Sequence, residues 1–158
     1  ELPWIAKARA QVGVHENTNP SLINSWLTRL KGAWLGLNPR KVPWCGTFVA
    51  QCLDPEYPIT EHWYRASDWA NFGVKLDRPA YGCIAVFKSG LQYHVTFIVG
   101  VDQHGNFMCL GGNQNNQVKI SPFKQASCIA MRWPSVWPKD GRFILPLLNS
   151  DGIEVTTR

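Results

Sequence analysis

One cysteine of this chain stands where a helix is expected to begin. Cys45 follows Pro43 and Trp44 and precedes the apolar pair Phe48-Val49. Because proline favours the first position of a helix, we expect Cys45 in the first turn. Unpaired backbone N–H groups and the helix dipole favour the nucleophilic thiolate there, and the Cys45 N–H itself is a candidate oxyanion donor. The alternative interpretation is a small buried side chain, the usual role of cysteine.

A thiolate nucleophile needs a base, and His94 is the best placed of the four histidines. His94 opens the apolar run 94–101, which predicts a strand, directly after the polar loop 89–93. A histidine at the start of a strand can reach the N-terminus of a helix packed on the same sheet. Cys45 and His94 therefore predict the nucleophile–base pair of a thiol acyl-transfer enzyme. The other histidines lie in polar or turn segments: His15, His62 and His104.

The imidazole of such a pair needs a polar neighbour that holds its orientation. If 94–101 and 106–113 pair as a hairpin, His94 and Asn113 lie on neighbouring strands at the same end. We therefore predict that Asn113 orients His94. Three following residues are alternatives for this role, Gln114, Asn115 and Asn116, and a plain Gly/Asn turn is the alternative structure.

Helical periodicity fills the first half of the chain and strand-like runs fill the second. Residues 3–12, 20–31 (with Asn19 as N-cap), 44–52 and 65–72 predict helices. Predicted strands cover five segments: 83–88, 94–101, 106–110, 117–121 and 127–132. Helices followed by antiparallel strands predict an α+β fold with a sheet of about five strands, and residues 134–158 are left unplaced.

The composition narrows the possible classes of protein. A chain of 158 residues is expected to form one domain, residues 1–158, with a core that needs no disulfides. The net charge of +5 favours anionic surroundings, but the Lys and Arg residues are scattered, so nucleic acid is not an expected partner. No apolar run reaches the length of a membrane span, and no C-x-x-C or H-E-x-x-H motif predicts a metal site. We expect a monomer without a cofactor or metal.

The number of cysteines is odd, so at least one thiol stays free in a monomer. Cys45 is the predicted reactive thiol. The others fall in apolar or strand-like segments and are predicted to pack in the interior: Cys52, Cys83, Cys109 and Cys128.

Six segments, taken in order, resemble papain-like cell-wall hydrolases of the CHAP and NlpC-like groups. The likeness covers about residues 4–134 and is greatest to a subfamily common in phage lysins and secreted bacterial toxins. The segments are Pro43-Trp44-Cys45-Gly46-Thr47-Phe48-Val49, Ala66-Ser67-Asp68-Trp69-Ala70-Asn71-Phe72-Gly73, Gly82-Cys83-Ile84-Ala85-Val86-Phe87, His94-Val95-Thr96-Phe97-Ile98-Val99-Gly100, Leu110-Gly111-Gly112-Asn113-Gln114 and Met131-Arg132-Trp133-Pro134.

The resemblance implies a papain-like fold and a thiol hydrolase of peptidoglycan that cleaves an amide bond. The implied catalytic residues are Cys45, His94 and Asn113, and the expected substrate-binding residues are Trp44, Gly112 and Gln114. The bond is either muramoyl–L-alanine, for an amidase, or one in the stem peptide, for an endopeptidase. The protein is expected to be made in the cytoplasm and to act in the periplasm or outside the cell. An effector of this type would also have an immunity or inhibitor protein as partner.

The sequence departs from the family pattern at several positions. Arg40-Lys41-Val42 replaces the usual acidic residue before Trp-Cys, Cys83 replaces an Asp, and Thr96 stands where Gly is frequent. A papain-type Gln upstream of Cys45 is not evident, so the second oxyanion donor is unassigned. These departures leave the Cys45–His94 pair intact and concern the rim of the cleft.

A non-catalytic module that binds cell wall or glycan is the alternative function. Such a module would stack sugars on exposed tryptophans and would not need Cys45 or His94. The candidates are Trp26, Trp34, Trp44, Trp63 and Trp69, although Trp26 and Trp69 also fit a helix core.

Overall fold

The computed structural model describes residues 1–138 and 142–155, and its first third is helical. It contains α1 (Pro3–Arg9), α2 (Pro20–Arg29) and α3 (Cys45–Leu53). The first helix ends earlier than predicted, and the predicted helix 65–72 is a 3-10 helix, Ala66–Asn71. Asn19 precedes α2 as predicted, but its side chain accepts hydrogen bonds from the backbone N–H of His15 and the hydroxyl of Thr18 and does not cap the helix.

The second half of the chain forms an antiparallel sheet, which confirms the α+β prediction. Six strands lie in the order β1-β6-β2-β3-β4-β5. The strand beyond the predicted five is β1, a two-residue segment that pairs with β6. The strand bounds are β1 Val74–Lys75, β2 Ile84–Ser89, β3 Gln92–Val101, β4 Phe107–Gln114, β5 Gln117–Phe123 and β6 Cys128–Trp133.

Part of the unplaced tail packs against the central strands. Leu147 forms a bridge to Val101 of β3, and the Leu148 side chain covers Gly100. Residues 139–141 and 156–158 of the predicted tail lie outside the described residues. None of the helices in the described part of the chain is long and apolar enough to cross a membrane.

The helix α3 is the centre of the core, and all nine of its residues are buried. Its Phe48 ring lies 6.3 Å from the Phe97 ring of β3 and 5.9 Å from the Trp26 ring of α2. Most of the tryptophans fill this core, which explains the high aromatic content without an exposed aromatic cleft. The tryptophans of lowest exposure are Trp4, Trp26, Trp44, Trp69 and Trp133.

Close approach between α3 and β4 requires a glycine at position 112. A Cβ atom at Gly112 would meet the Phe48 side chain at 2.5 Å and the Trp44 ring at 2.9 Å. Both neighbours are buried in the core, so neither can move without disturbing other packing. Gly112 was expected to bind substrate, but the structure places it under the helix that carries Cys45.

Replacing Gly112 with alanine is expected to destabilise the fold by about 1–3 kcal/mol, because the added methyl group overpacks the interface. Urea denaturation followed by tryptophan fluorescence measures this change. Leu91→Ala is the control, since Leu91 is 95% exposed and its truncation should change stability by less than about 0.5 kcal/mol. Equal stability of the Gly112→Ala and Leu91→Ala proteins would contradict the packing constraint.

Candidate active site

Cys45 is the first residue of α3 and lines an open cleft. Cys45 is 6% exposed, and the cleft beside it has a volume of about 670 Å³. The predicted start of the helix is confirmed. The first N–H groups of α3 have no partner within the helix, so this end attracts negative charge.

The His94 imidazole interacts directly with the Cys45 thiol, as the sequence predicted. Burial raises the pKa of the Cys45 thiol, but four interactions outweigh burial and bring that pKa below its usual value. They are the hydrogen bond and charge interaction with His94 and hydrogen bonds from the backbone of Val95 and Gly46. Among the five cysteines, Cys45 is therefore the one whose thiolate is favoured.

His94 shows the complementary shift. Burial lowers the pKa of the imidazole, but the hydrogen bond and charge interaction with Cys45, together with a hydrogen bond to Gln114, raise it above its usual value. The two shifts belong to one coupled pair. Together they favour the thiolate–imidazolium form of the pair.

Gln114 holds the imidazole from its other side. The Nε2 atom of His94 lies 3.0 Å from Oε1 of Gln114. The amide nitrogen of Gln114 donates to two backbone carbonyl oxygens, those of Cys109 at 3.0 Å and Lys119 at 2.8 Å. These bonds fix the amide with Oε1 toward His94, and because this oxygen only accepts hydrogen bonds, Nε2 of His94 must carry a proton. Nδ1 is left as the atom that faces Cys45 and accepts its proton.

The orienting residue predicted from the sequence therefore needs correction. We expected Asn113 beside His94, but Asn113 lines the cleft, and Gln114, one of the alternatives, bonds to the ring. The cause is an irregularity in β4, where the register with β5 shifts between Gly111 and Gln114 and Asn113 has φ 55°. This break in strand alternation turns Gln114 inward and Asn113 outward.

Two of the expected substrate-binding side chains are also buried. Trp44 is 2% exposed, and its indole N–H donates to Oε1 of Glu16 at 3.1 Å. Gln114 is 5% exposed and is committed to the network around His94. Trp44 and Gln114, like Gly112, therefore support the site from behind. None of the three lines the cleft.

Two side chains that support the imidazole were not predicted. Thr96 lies two residues after His94 on the same face of β3, and its hydroxyl donates to Oε1 of Gln114 at 2.8 Å. The Phe123 ring, at the end of β5, stacks on the His94 ring at 5.2 Å with an angle of 9° between the planes. The only sequence signal for Thr96 was its departure from a frequent Gly, and Phe123 carried none.

Gly111 makes the Gln114 network possible. A Cβ atom at this position would collide with Oε1 of Gln114 and with the Thr96 hydroxyl. Gly111 thus leaves space for the polar network, and Gly112 leaves space for the packing of α3.

The wall of the cleft combines apolar side chains with polar and basic ones. Ser89, Gln92 and Tyr93 border it near the β2–β3 turn, with Asn113 and Ser127 elsewhere on the wall. The charged residues of the wall are Lys88 and Lys124. No group of three or more metal-binding side chains occurs within residues 1–138 and 142–155.

The other cysteines have the opposite character from Cys45, and all five are free thiols. Burial raises the pKa of Cys83 to about 12, and it also raises the pKa values of Cys52, Cys109 and Cys128. The predicted packing role of these four cysteines agrees with their burial, although Cys128 is only partly covered.

The family comparison agrees with this geometry. The CHAP domain family model matches residues 37–113, which include Cys45 and His94. This part of the chain is therefore similar to the CHAP domain family, which is associated with peptidoglycan hydrolase or amidase-type activity. Neither the curated proteins nor the solved structures provide a match to the chain.

Native alkylation with iodoacetamide is expected to modify Cys45 first, since it combines access from the cleft with a lowered pKa. Peptide mass spectrometry locates the modified residue. The denatured protein, in which all five thiols should react, is the control. Faster modification of Cys128, the other partly accessible thiol, would contradict the assignment.

Replacing Gln114 with alanine should move the onset of Cys45 alkylation to higher pH. In the wild-type protein, the hydrogen bond to Gln114 raises the pKa of His94. Without this bond the imidazolium is less favoured, and the thiolate that it stabilises is less favoured too. The rate of alkylation as a function of pH measures the shift.

Asn113→Ala is the matched control and should leave this profile unchanged. Thr96→Val should shift the onset in the same direction by less, and Thr96→Ser should restore it, because serine keeps the hydroxyl. A shift in Asn113→Ala without one in Gln114→Ala would restore Asn113 as the orienting residue.

Proposed function

We propose that the protein hydrolyses an amide bond of peptidoglycan through a covalent thioester on Cys45. The observation that carries the proposal is the contact between a thiol of lowered pKa and an imidazole of raised pKa at the wall of an open cleft. The CHAP domain match supports peptidoglycan as the substrate. Cys45 is the nucleophile, His94 the general acid and base, and Gln114 the positioning residue.

In the acylation half of the reaction, Nδ1 of His94 takes the proton from the Cys45 thiol. The thiolate attacks the carbonyl carbon of the amide, and the backbone N–H of Cys45 stabilises the oxyanion that develops. The C–N bond then breaks as the imidazolium gives its proton to the leaving amine. The products of this half are a free amine and an acyl group bound to Sγ of Cys45.

In the deacylation half, the neutral imidazole takes a proton from water, and the resulting hydroxide equivalent attacks the thioester. The C–S bond breaks, a carboxylic acid leaves, and the proton on His94 returns to the Cys45 thiolate. Throughout both halves, Gln114 accepts the hydrogen bond from Nε2, which keeps Nδ1 toward the sulfur and the substrate.

Charge supports action at the cell envelope. The net charge of +5 attracts the chain to an anionic wall, and an enzyme of this specificity must reach the periplasm or the cell exterior to meet its substrate. We propose that location as the place of action. A phage lysin and an antibacterial effector are both consistent with it.

The burial of the tryptophans disfavours a pure glycan-binding module. Of the five candidates for sugar stacking, four are buried and Trp34 is exposed. A binding module also offers no reason for the buried polar network that orients His94.

Cys45→Ala and His94→Ala should each lower the rate of peptidoglycan solubilisation by about 10³-fold or more, because each removes a partner of the proton transfer. Loss of turbidity in a suspension of purified sacculi measures the rate. Cys128→Ala is the matched thiol control and should retain activity, since Cys128 lies outside the cleft wall. Wild-type turnover by Cys45→Ala would refute the mechanism.

Mass spectra of the soluble fragments then identify the bond. Release of intact stem peptides with a free N-terminal alanine indicates an amidase, and new termini within the stem or cross-link indicate an endopeptidase. If the wild-type protein binds sacculi but releases no fragments, the alternative of a binding module replaces the proposal.

A further inference from the structure

The cleft beside Cys45 has an uneven charge distribution. Lys88, at the end of β2, and Lys124, directly after β5, both line it and are both exposed. The lining contains no Asp or Glu among the described residues. The side chains of the cleft therefore contribute two fixed positive charges, and the thiolate and imidazolium nearly cancel each other.

Within the described residues, neither lysine forms a salt bridge. The ion pairs within the described ranges join Arg9 to Glu1 and His62 to Asp68, away from both lysines. Lys88 has its ammonium group 5.4 Å from the centre of the Tyr93 ring, which also lines the cleft. This cation–π contact favours a position of Lys88 along the wall without cancelling its charge.

The remaining polar groups of the wall suit an anion that can accept hydrogen bonds. The hydroxyls of Ser89 and Ser127 and the amides of Gln92 and Asn113 all offer donors. Lysine ammonium groups on the wall of this cleft, with such donors beside them, attract a carboxylate more strongly than an uncharged amide.

We propose that Lys88 and Lys124 form a carboxylate subsite, which makes the enzyme select stem peptides that bear a free carboxylate next to the scissile amide over peptides in which that group is amidated. This inference rests on the proposed function for the identity of the substrate. It adds two specificity residues that are separate from the Cys45–His94 pair.

The test compares two synthetic stem peptides that differ only in one group, a free carboxylate or its carboxamide. With the full chain, kcat/KM should be about 10-fold or more higher for the carboxylate peptide, and salt should reduce this preference by screening the lysines. The Lys88→Gln/Lys124→Gln double variant should lose the preference to within about threefold. The control is Lys31→Gln/Lys75→Gln, which makes the same charge change at exposed positions outside the cleft and should keep the preference.

A binding measurement separates this inference from the proposed function. Isothermal titration of both peptides into Cys45→Ala should show tighter binding of the carboxylate peptide, and the two lysine changes should abolish the difference. Hydrolysis of both peptides with equal kcat/KM would overturn the subsite and leave the hydrolase intact. Selective binding without hydrolysis by the wild-type chain would overturn the hydrolase and leave the subsite intact.

Unselective anion binding is the remaining outcome. A short RNA is therefore tested as a competitor of the carboxylate peptide for the Cys45→Ala protein. If the RNA displaces the peptide as effectively as excess unlabelled peptide does, and the two lysine changes abolish its binding, the cleft is a general anion surface. That result would also overturn the carboxylate subsite.

Discussion

The depth to which α3 packs on the sheet determines whether the site exists at all. The thiol is on the first residue of this helix and the imidazole is at the start of β3, so only tertiary packing brings them together. Gly112 lets Phe48 and Trp44 lie directly on β4, and a larger residue would hold the helix away. Since all nine residues of α3 are buried, the hydrophobic energy of the core also positions the nucleophile. The reactive pair therefore lies on rigid elements and not on mobile loops.

Burial of this pair creates an electrostatic problem, because desolvation opposes the charged forms of both groups. The structure offsets it with short-range partners on all sides, including the backbone near Val95 and Gly46 for the thiolate and Gln114 for the imidazole. A carboxylate at position 114 would add a second buried anion and its desolvation cost. The neutral amide of Gln114 avoids that cost. Its two bonds to backbone carbonyls and its bond from Thr96 leave the amide fully satisfied and fixed in orientation.

The site is divided into an interior that sets reactivity and a rim that meets the substrate. Gln114 and Thr96 support the imidazole from behind, and the Phe123 ring stacks on it at the cleft wall. Lys88 and Lys124 are exposed on the same wall. The aromatic ring of Phe123 also lies 4.9 Å from that of Phe87, so the end of β5 is anchored to β2 beside the site. Changes at the rim can therefore alter recognition without disturbing the proton transfer, because the two groups share no hydrogen bond.

The sequence by itself determined the fold class and the start of α3 at Cys45, because helix periodicity, proline placement and β-branched runs are local signals. It also singled out Cys45 and His94 as a candidate pair, but the packing of α3 on the sheet is what brings the two side chains together. It also separated Cys45 from four packing cysteines. Only the tertiary structure decided that Gln114 and not Asn113 orients His94, since the irregularity in β4 breaks the alternation on which the prediction relied. The burial of Trp44 and the stacking of Phe123 were likewise decided by contacts between distant segments, which leave no periodic trace in the chain.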